Sequence, residues 1–347
     1  MSLGRYLLGA GELVLMASAL GFGAARLRAR FLPDWAGAPA RLAEVVIVAS
    51  ALVLTLELVG LAQILDPVPI VAAAVLAGLL LAALGRSEGA PQRSEEQPDY
   101  PSPDQRTGPA APAQMGRAAT GVALAAMLLV AVHWATLAEH SFSVGLWGGD
   151  DNWYHLPYAA RFAQEGSITA LHYASPSYLS WFHPVNSELF HAAGMVLFGR
   201  DIASPWLNLV WMAVGLLAAW CIGRPFGVAP LTATAAALAF DLPVFAETQA
   251  GSAYSDLFGV TFLLAAGALL INARPGASRE RPLPPAVLVV AGLAAGLALG
   301  AKLSFAGPIV VLITVMIALA TRGARVRTAL LLGLPALATG SFWYLRD

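Results

Sequence analysis

The 347-residue chain is 58% hydrophobic and only 12% charged, with a mean hydropathy of +0.68. A water-soluble domain carries roughly a quarter charged residues, so most of this chain must face something other than water, and a bilayer fits. A net charge of −1 without a basic run offers no footing for a nucleic-acid partner, and the single cysteine, Cys221, excludes an internal disulfide or a Cys-based metal site.

The first residues, M-S-L-G-R-Y, lead into an apolar run that contains a glutamate and lacks a convincing A-x-A-type cleavage site, so it reads as a retained membrane helix. Crossing the hydrocarbon core takes about 20 apolar residues in a helix. Ten segments meet that demand: 6–25, 43–65, 68–85, 118–138, 204–222, 229–246, 255–272, 285–301, 304–320 and 327–345. None alternates as a barrel strand would, and the predicted fold is an all-α polytopic membrane protein of about ten transmembrane helices. Glu57, in the middle of the second span, is costly there unless neutral, paired within the bundle or turned to a partner protein. Residues 86–117 carry six prolines and both charge signs with almost no large apolar residue, the composition of a disordered cytoplasmic linker. They divide a three-helix N-terminal extension, 1–85, from a main module, 118–347, in which no internal repeat is found.

Arginine placement orients the chain. With the first span running from outside to inside, the inner loops take fifteen of the twenty Lys and Arg residues, leaving Arg5, Arg161, Arg200, Lys302 and Arg346 outside. Residues 139–203 then form one large external segment that holds Asp150, Asp151, Glu165, Glu188 and five of the six histidines. Within it, 153–165 and 187–198 show apolar residues at helical spacing but are too short or too polar to span. Both read as amphipathic juxtamembrane helices. Trp147, Trp153, Tyr154, Tyr158, Tyr173, Tyr178 and Trp181 suit an aromatic belt at that depth.

The stretch G-G-D-D-N-W-Y-H-L-P-Y-A-A-R-F, 148–162, concentrates ionisable groups between apolar runs. Locally, two aspartates before a helix make a good capping sequence for its first N–H groups. Asp151 and His155, four apart, could share a helical face around a divalent ion, with Asp150 beside them, although no third ligand stands at diagnostic spacing. Lys302 is the only lysine and lies on the outer side; a snorkelling charge at a tight turn accounts for it as readily as a ligand contact. Gly292, Gly296 and Gly300 lead up to it, a small-residue stripe for close helix contact that would mount the lysine rigidly.

Four stretches, in order, carry a family resemblance. Asp150-Asp151-Asn152-Trp153-Tyr154, followed by Ala160-Arg161, is similar to a D-[DE]-x-x-Y signature with its Ala-Arg pair, and Tyr154-His155-Leu156-Pro157 continues as in a bacterial branch. H-P-V-N-S-E-L-F-H-A-A-G-M-V-L-F-G (183–199) resembles a second juxtamembrane helix, S-A-Y-S-D-L-F (252–258) an acid at the outer start of a span, and G-L-A-L-G-A-K-L-S-F (296–305) a G-L-A-x-x-x-K motif. Together, over 118–347, they resemble the GT-C superfamily of polytopic glycosyltransferases, which includes protein O-mannosyltransferases and lipid A aminoarabinose transferases. The chain departs from it at Phe182-His183-Pro184, where relatives with a Lys-Pro-Pro turn place a phosphate-contacting lysine. Family members also continue past S-F-W-Y-L-R-D, so the resemblance implies a chain truncated before the external C-terminal module.

The resemblance implies an inverting glycosyltransferase of a bacterial cell membrane, active at the external face. Its donor would be a polyprenyl-phosphate-linked sugar drawn from among the membrane lipids, and its acceptor a cell-envelope glycan, lipid or protein. Such a reaction needs a base for the acceptor hydroxyl and positive charge at the leaving phosphate. Asp150 is the expected base; Asp151 would raise its pKa by like-charge repulsion, or hold an ion or donor hydroxyls. Lys302 is the expected phosphate contact, with Arg161 and Arg200 as weaker ones. Tyr154 and His155 belong to the binding motif. Asp256 and Glu247 would orient hydroxyls, Asp256 being equally apt as a helix-start acid, and Glu188 is either a helix-start charge or a sugar ligand. No cofactor is required, and a divalent cation is optional. The rival readings are a transporter or flippase of lipid-linked glycans, and a catalytically inactive assembly subunit.

Overall fold

The computed structural model describes residues 2–86, 114–146, 148–170, 182–273 and 283–346, and every regular element among them is helical. Most of the linker read at 86–117, Trp147, Tyr173, Tyr178 and Trp181 of the aromatic set, and the 274–282 connection with Arg274, Arg279 and Arg281 lie outside the described residues.

Four long helices come first: α1 (Leu3–Phe31), α2 (Ala38–Leu61), α3 (Pro67–Leu84) and α4 (Arg117–Val144). A π-turn at Asp151–His155 runs into α5 (Leu156–Glu165), and α6 (Asn186–Phe198) and α7 (Ser204–Gly223) follow. The remainder comprises α8 (Ala229–Phe240), α9 (Pro243–Gln249), α10 (Asp256–Asn272), α11 (Pro285–Leu299), α12 (Ala306–Leu319), α13 (Arg325–Gly340) and α14 (Phe342–Arg346).

Each of the ten apolar runs is helical, but helix breaks shorten several. Among the described residues five helices (α1, α2, α3, α4 and α7 with its 3₁₀ extension) are long and apolar enough to cross a membrane, or six if α8 and α9 make one bent span. The bend between those two is 67°, at Asp241–Leu242. Pro243 opens α9 and has no N–H to continue the hydrogen-bond ladder of α8. Asp256–Asn272, Pro285–Leu299 and Leu303–Leu319 are shorter apolar helices. The structure fits a membrane protein with five or six candidate spans; ten was the larger expectation.

Burial ranks the helices. α2 is central, with Ala40, Leu42, Ala43, Val46, Val53 and Leu56 at 0–1% exposure, and it touches α6, α7, α10, α11 and α13. The first three helices therefore share one core with the rest. Glu57 lies inside it at 5% exposure, its Oε1 without a hydrogen-bond partner among the described residues. The glycine stripe divides its work. Gly292 and Gly296 let α11 meet α13 backbone to backbone, whereas a Cβ on Gly300 would sit 2.1 Å from the Asn186 side chain.

Two expectations for the external segment change. α6 is not an amphipathic surface helix: twelve of its thirteen residues are buried. Its small residues, Ala192, Ala193 and Gly194, are all buried, and small side chains of this kind permit close helix approach. Tyr154 and Tyr158 are buried at 7% and 1% and belong to the core, not to a belt, while Trp153 is exposed. α5 does have an apolar face, with Tyr158, Ala159 and Phe162 buried and Arg161 and Glu165 exposed.

Helix ends sort into two sets. At one, Leu65 N–H donates to Gly166, Ile168 N–H to Gly60 and Asn186 N–H to Gly300, joining the end of α2, the end of α5, the start of α6 and the end of α11. At the other, Glu44 accepts from Arg28 at 3.0 Å and pairs with Arg41, Arg30 donates to the Leu84 and Arg86 carbonyls, and Asn272 donates to the Cys221 carbonyl at 2.7 Å. The acidic cluster lies with the first set.

Candidate functional site

The π-turn explains how two adjacent aspartates serve different ends. Leu156 N–H reaches back five residues to the Asp151 carbonyl, and Pro157 next to it can offer no N–H to restore the regular ladder. Successive side chains leave a helix in different directions. Asp151 turns inward to 1% exposure, and Asp150 stays half-buried. Neither caps the helix that follows. Instead, Asp151 Oδ1 accepts the Ala253 N–H at 2.8 Å, while Asp150 Oδ2 accepts the Tyr154 hydroxyl at 3.2 Å and Asp150 N–H donates to the Tyr254 hydroxyl at 3.3 Å. Gly148 closes this corner, since a Cβ there would lie 2.5 Å from Asp151 Oδ2 and 2.6 Å from the Tyr254 ring.

Burial pushes the Asp151 carboxyl up to about 6, against the pull of the Ala253 N–H and the neighbouring His155. This folded value lies above the ordinary 3.8, so the stability due to Asp151 is full below about pH 4 and lost as pH rises through about 6. The thermal midpoint of wild type minus that of Asp151→Asn should therefore fall between pH 4 and 7. A difference that does not change with pH would refute this account of Asp151.

Behind the aspartates, His155 Nδ1 pairs with Glu188 Oε1, both residues at 1% exposure, which joins the π-turn to α6. His155 Nε2 and Glu188 Oε2 have no hydrogen-bond partner among the described residues. His191, one turn further along α6, is fully enclosed, and burial pushes it down to about 3. The rings of Tyr154 and His183 meet edge to face at 5.2 Å. Burial lowers His183, which feels Glu188, Lys302, His155 and Asp150. Burial also raises Tyr154, which feels Asp150, Glu188 and Asp256.

The third contribution comes from the far end of the chain. Lys302, between α11 and the short 3₁₀ turn at Leu303–Phe305, donates to Asp256 Oδ1 at 2.7 Å. Asp256 is the first residue of α10, and the two side chains are 35% and 31% exposed for Asp256 and Lys302. Beside them opens a cleft of about 340 Å³, lined by the polar Thr248, Gln249, Tyr254 and Asp256 and the apolar Val244, Phe245, Val260 and Phe305.

Of the residues singled out in the sequence, Asp150, Asp151, Tyr154, His155, Glu188, Asp256 and Lys302 thus meet in one electrostatically connected cluster. Arg161 and Glu247 are exposed, on α5 and α9, and take no part in its hydrogen bonds. Among the described residues no group of three or more His, Cys, Asp or Glu side chains is placed to hold a metal ion. His155 Nδ1 faces Glu188.

Sequence reasoning passed over Asn208. This α7 residue is wholly buried, and its Nδ2 lies 2.9, 3.2 and 3.1 Å from the carbonyls of Gln249, Ser252 and Tyr254. It thereby holds the one connection that presents Ala253 to Asp151, Tyr254 to Asp150, and Asp256 to Lys302. Gln249 Oε1 completes it by accepting the Leu257 N–H at 3.2 Å. The signal was an asparagine inside the apolar run S-P-W-L-N-L-V-W. Asn208→Ala should cost about 1–3 kcal/mol by leaving those carbonyls short of a donor, read as a lower thermal midpoint with faster amide exchange confined to 249–257. Unchanged exchange there would show that the connection holds without it.

No protein-family model, curated protein or solved structure matches this chain.

Proposed function

We propose that the chain is a multi-pass membrane glycosyltransferase of the GT-C type. It transfers a sugar from a polyprenyl-phosphate donor to a cell-envelope acceptor at the external face, with inversion. The observation that carries this is the Lys302–Asp256 ion pair at a cleft that Asp256 and Tyr254 line, with Asp150 bonded to that same Tyr254. Such a site suits a lipid with an anionic head. The sorting of helix ends supports the orientation, with Arg28, Arg30 and Arg41 at the ends opposite the acidic cluster.

In the reaction, the acceptor oxygen bonds to the anomeric carbon as that carbon's bond to the phosphate oxygen breaks. The electron pair leaves on the phosphate, and the acceptor proton passes to a base. Asp150 is that base, since it is partly exposed and held by Tyr154 and Tyr254. Asp151 is sealed from solvent and acts as a positioning residue that ties the π-turn to Ala253. Lys302 stands where the leaving phosphate gathers charge, and Asp256 binds beside it.

The test is a transfer assay with the full chain in lipid nanodiscs, a panel of radiolabelled decaprenyl-phosphate sugars, and an envelope extract as acceptor. Transfer of label together with release of decaprenyl phosphate is expected. Movement of intact lipid-linked sugar across liposomes without cleavage would favour a flippase and overturn the proposal.

A further inference from the structure

The Lys302–Asp256 pair holds more than a phosphate contact requires. A lysine ammonium has three donors, and one of them is committed to Asp256 Oδ1 at 2.7 Å. Both side chains remain about one-third exposed, so the ammonium can take a second partner without breaking the first. Any anion reaching Lys302 from the cleft then lies within a few ångströms of the Asp256 carboxylate, which lines that cleft. The surroundings add negative charge, since Tyr254 feels Asp150, Asp151 and Asp256 together. His183 contributes no second cation at neutral pH, because burial keeps it below its ordinary value of 6.5. The pair is locally neutral and its setting is acidic.

Transfer changes the charge of the lipid. The donor is a phosphodiester with one negative charge. The product is a phosphomonoester, whose second ionisation near pH 6 gives it a charge of about −1.5 to −2 at pH 7. A neutral pair in an acidic setting tolerates the first and opposes the second.

Resting on the proposed sugar transfer, we infer that Asp256 is a specificity-determining residue: by sharing Lys302 with the bound phosphate, it admits singly charged phosphodiester lipids and disfavours the doubly charged phosphomonoester that the reaction leaves behind. The substrate is thereby held in preference to the spent carrier, and release of the carrier is favoured.

The experiment measures binding of two probes, decaprenyl phosphate and decaprenyl methyl phosphate, to the full chain in nanodiscs at pH 7.5. Wild type should bind the diester more tightly than the monoester. Asp256→Asn should tighten monoester binding about tenfold, the scale of one extra charge near a carboxylate at a partly exposed site, and change diester binding much less. Asp256→Ser serves if the Asn variant does not fold, since Ser also suits a helix start. A wild-type preference for the monoester overturns the inference without any variant, and so does an equal shift, or a loss, for both lipids in the variants. Failure of wild type to bind either lipid would instead remove the glycosyltransferase reading itself.

Discussion

Asp150→Asn is expected to lower sugar transfer by about 10²–10⁴-fold, the contribution of a positioned general base, while the thermal midpoint and membrane insertion stay as in wild type. The side-chain amide keeps an oxygen for the Tyr154 hydroxyl, and the backbone N–H still reaches Tyr254. What disappears is the ability to take a proton from the acceptor. Full activity in this variant would discard the base assignment. Asp151→Asn provides the contrast: its carboxylate is buried against Ala253, so its main effect should fall on stability and its pH dependence. Were Asp151→Asn the more damaging to turnover at equal stability, the two roles would have to be exchanged.

Lys302→Ala is expected to reduce transfer by about 10²–10³-fold, as the loss of a single charge stabiliser at a leaving oxyanion does. It should also weaken binding of decaprenyl phosphate. Lys302→Arg should retain most of both, because a guanidinium supplies the same charge and can still pair with Asp256. The comparison separates a phosphate contact from a snorkelling charge at a tight turn. An interfacial lysine would be replaced by either residue with little effect on binding, so equal outcomes for Ala and Arg would end the phosphate assignment.

Much of this site was visible along the chain before any fold was known. The acids of 150–151, Glu188, Asp256 and Lys302 stand out because ionisable groups are rare here, at 12% of residues, and each is costly in an apolar setting without a purpose. The same scarcity drew attention to Arg161 and Glu247, which are exposed on α5 and α9. Exposed charges at helix surfaces are as conspicuous in a sequence as buried ones. Asn208 escaped for the opposite reason. A neutral amide in an apolar run attracts no electrostatic attention, and its value lies in carbonyls more than forty residues away.

The expected interfacial helix at 187–198 shows a second limit. Spacing reveals that a segment is helical, but not how many neighbours will surround it. α6 is enclosed because α5 and the first three helices pack onto it with α7, contacts between segments that no local pattern contains. The break between α8 and α9 is a milder case: Pro243 marked it, but an apolar run read by composition alone passes straight through.

Composition, arginine placement and helical spacing were enough to establish an all-helical chain suited to a bilayer, since the cost of placing each residue in lipid or water is nearly a local property. The division of labour within Asp150-Asp151, the enclosure of His155 with Glu188, and the sharing of Lys302 by Asp256 came only from packing. Each depends on a side-chain direction set by the π-turn, or on a partner 33 to 104 residues distant. Such pairings arise from how helices seat against one another, and their energy exists only once the helices have met.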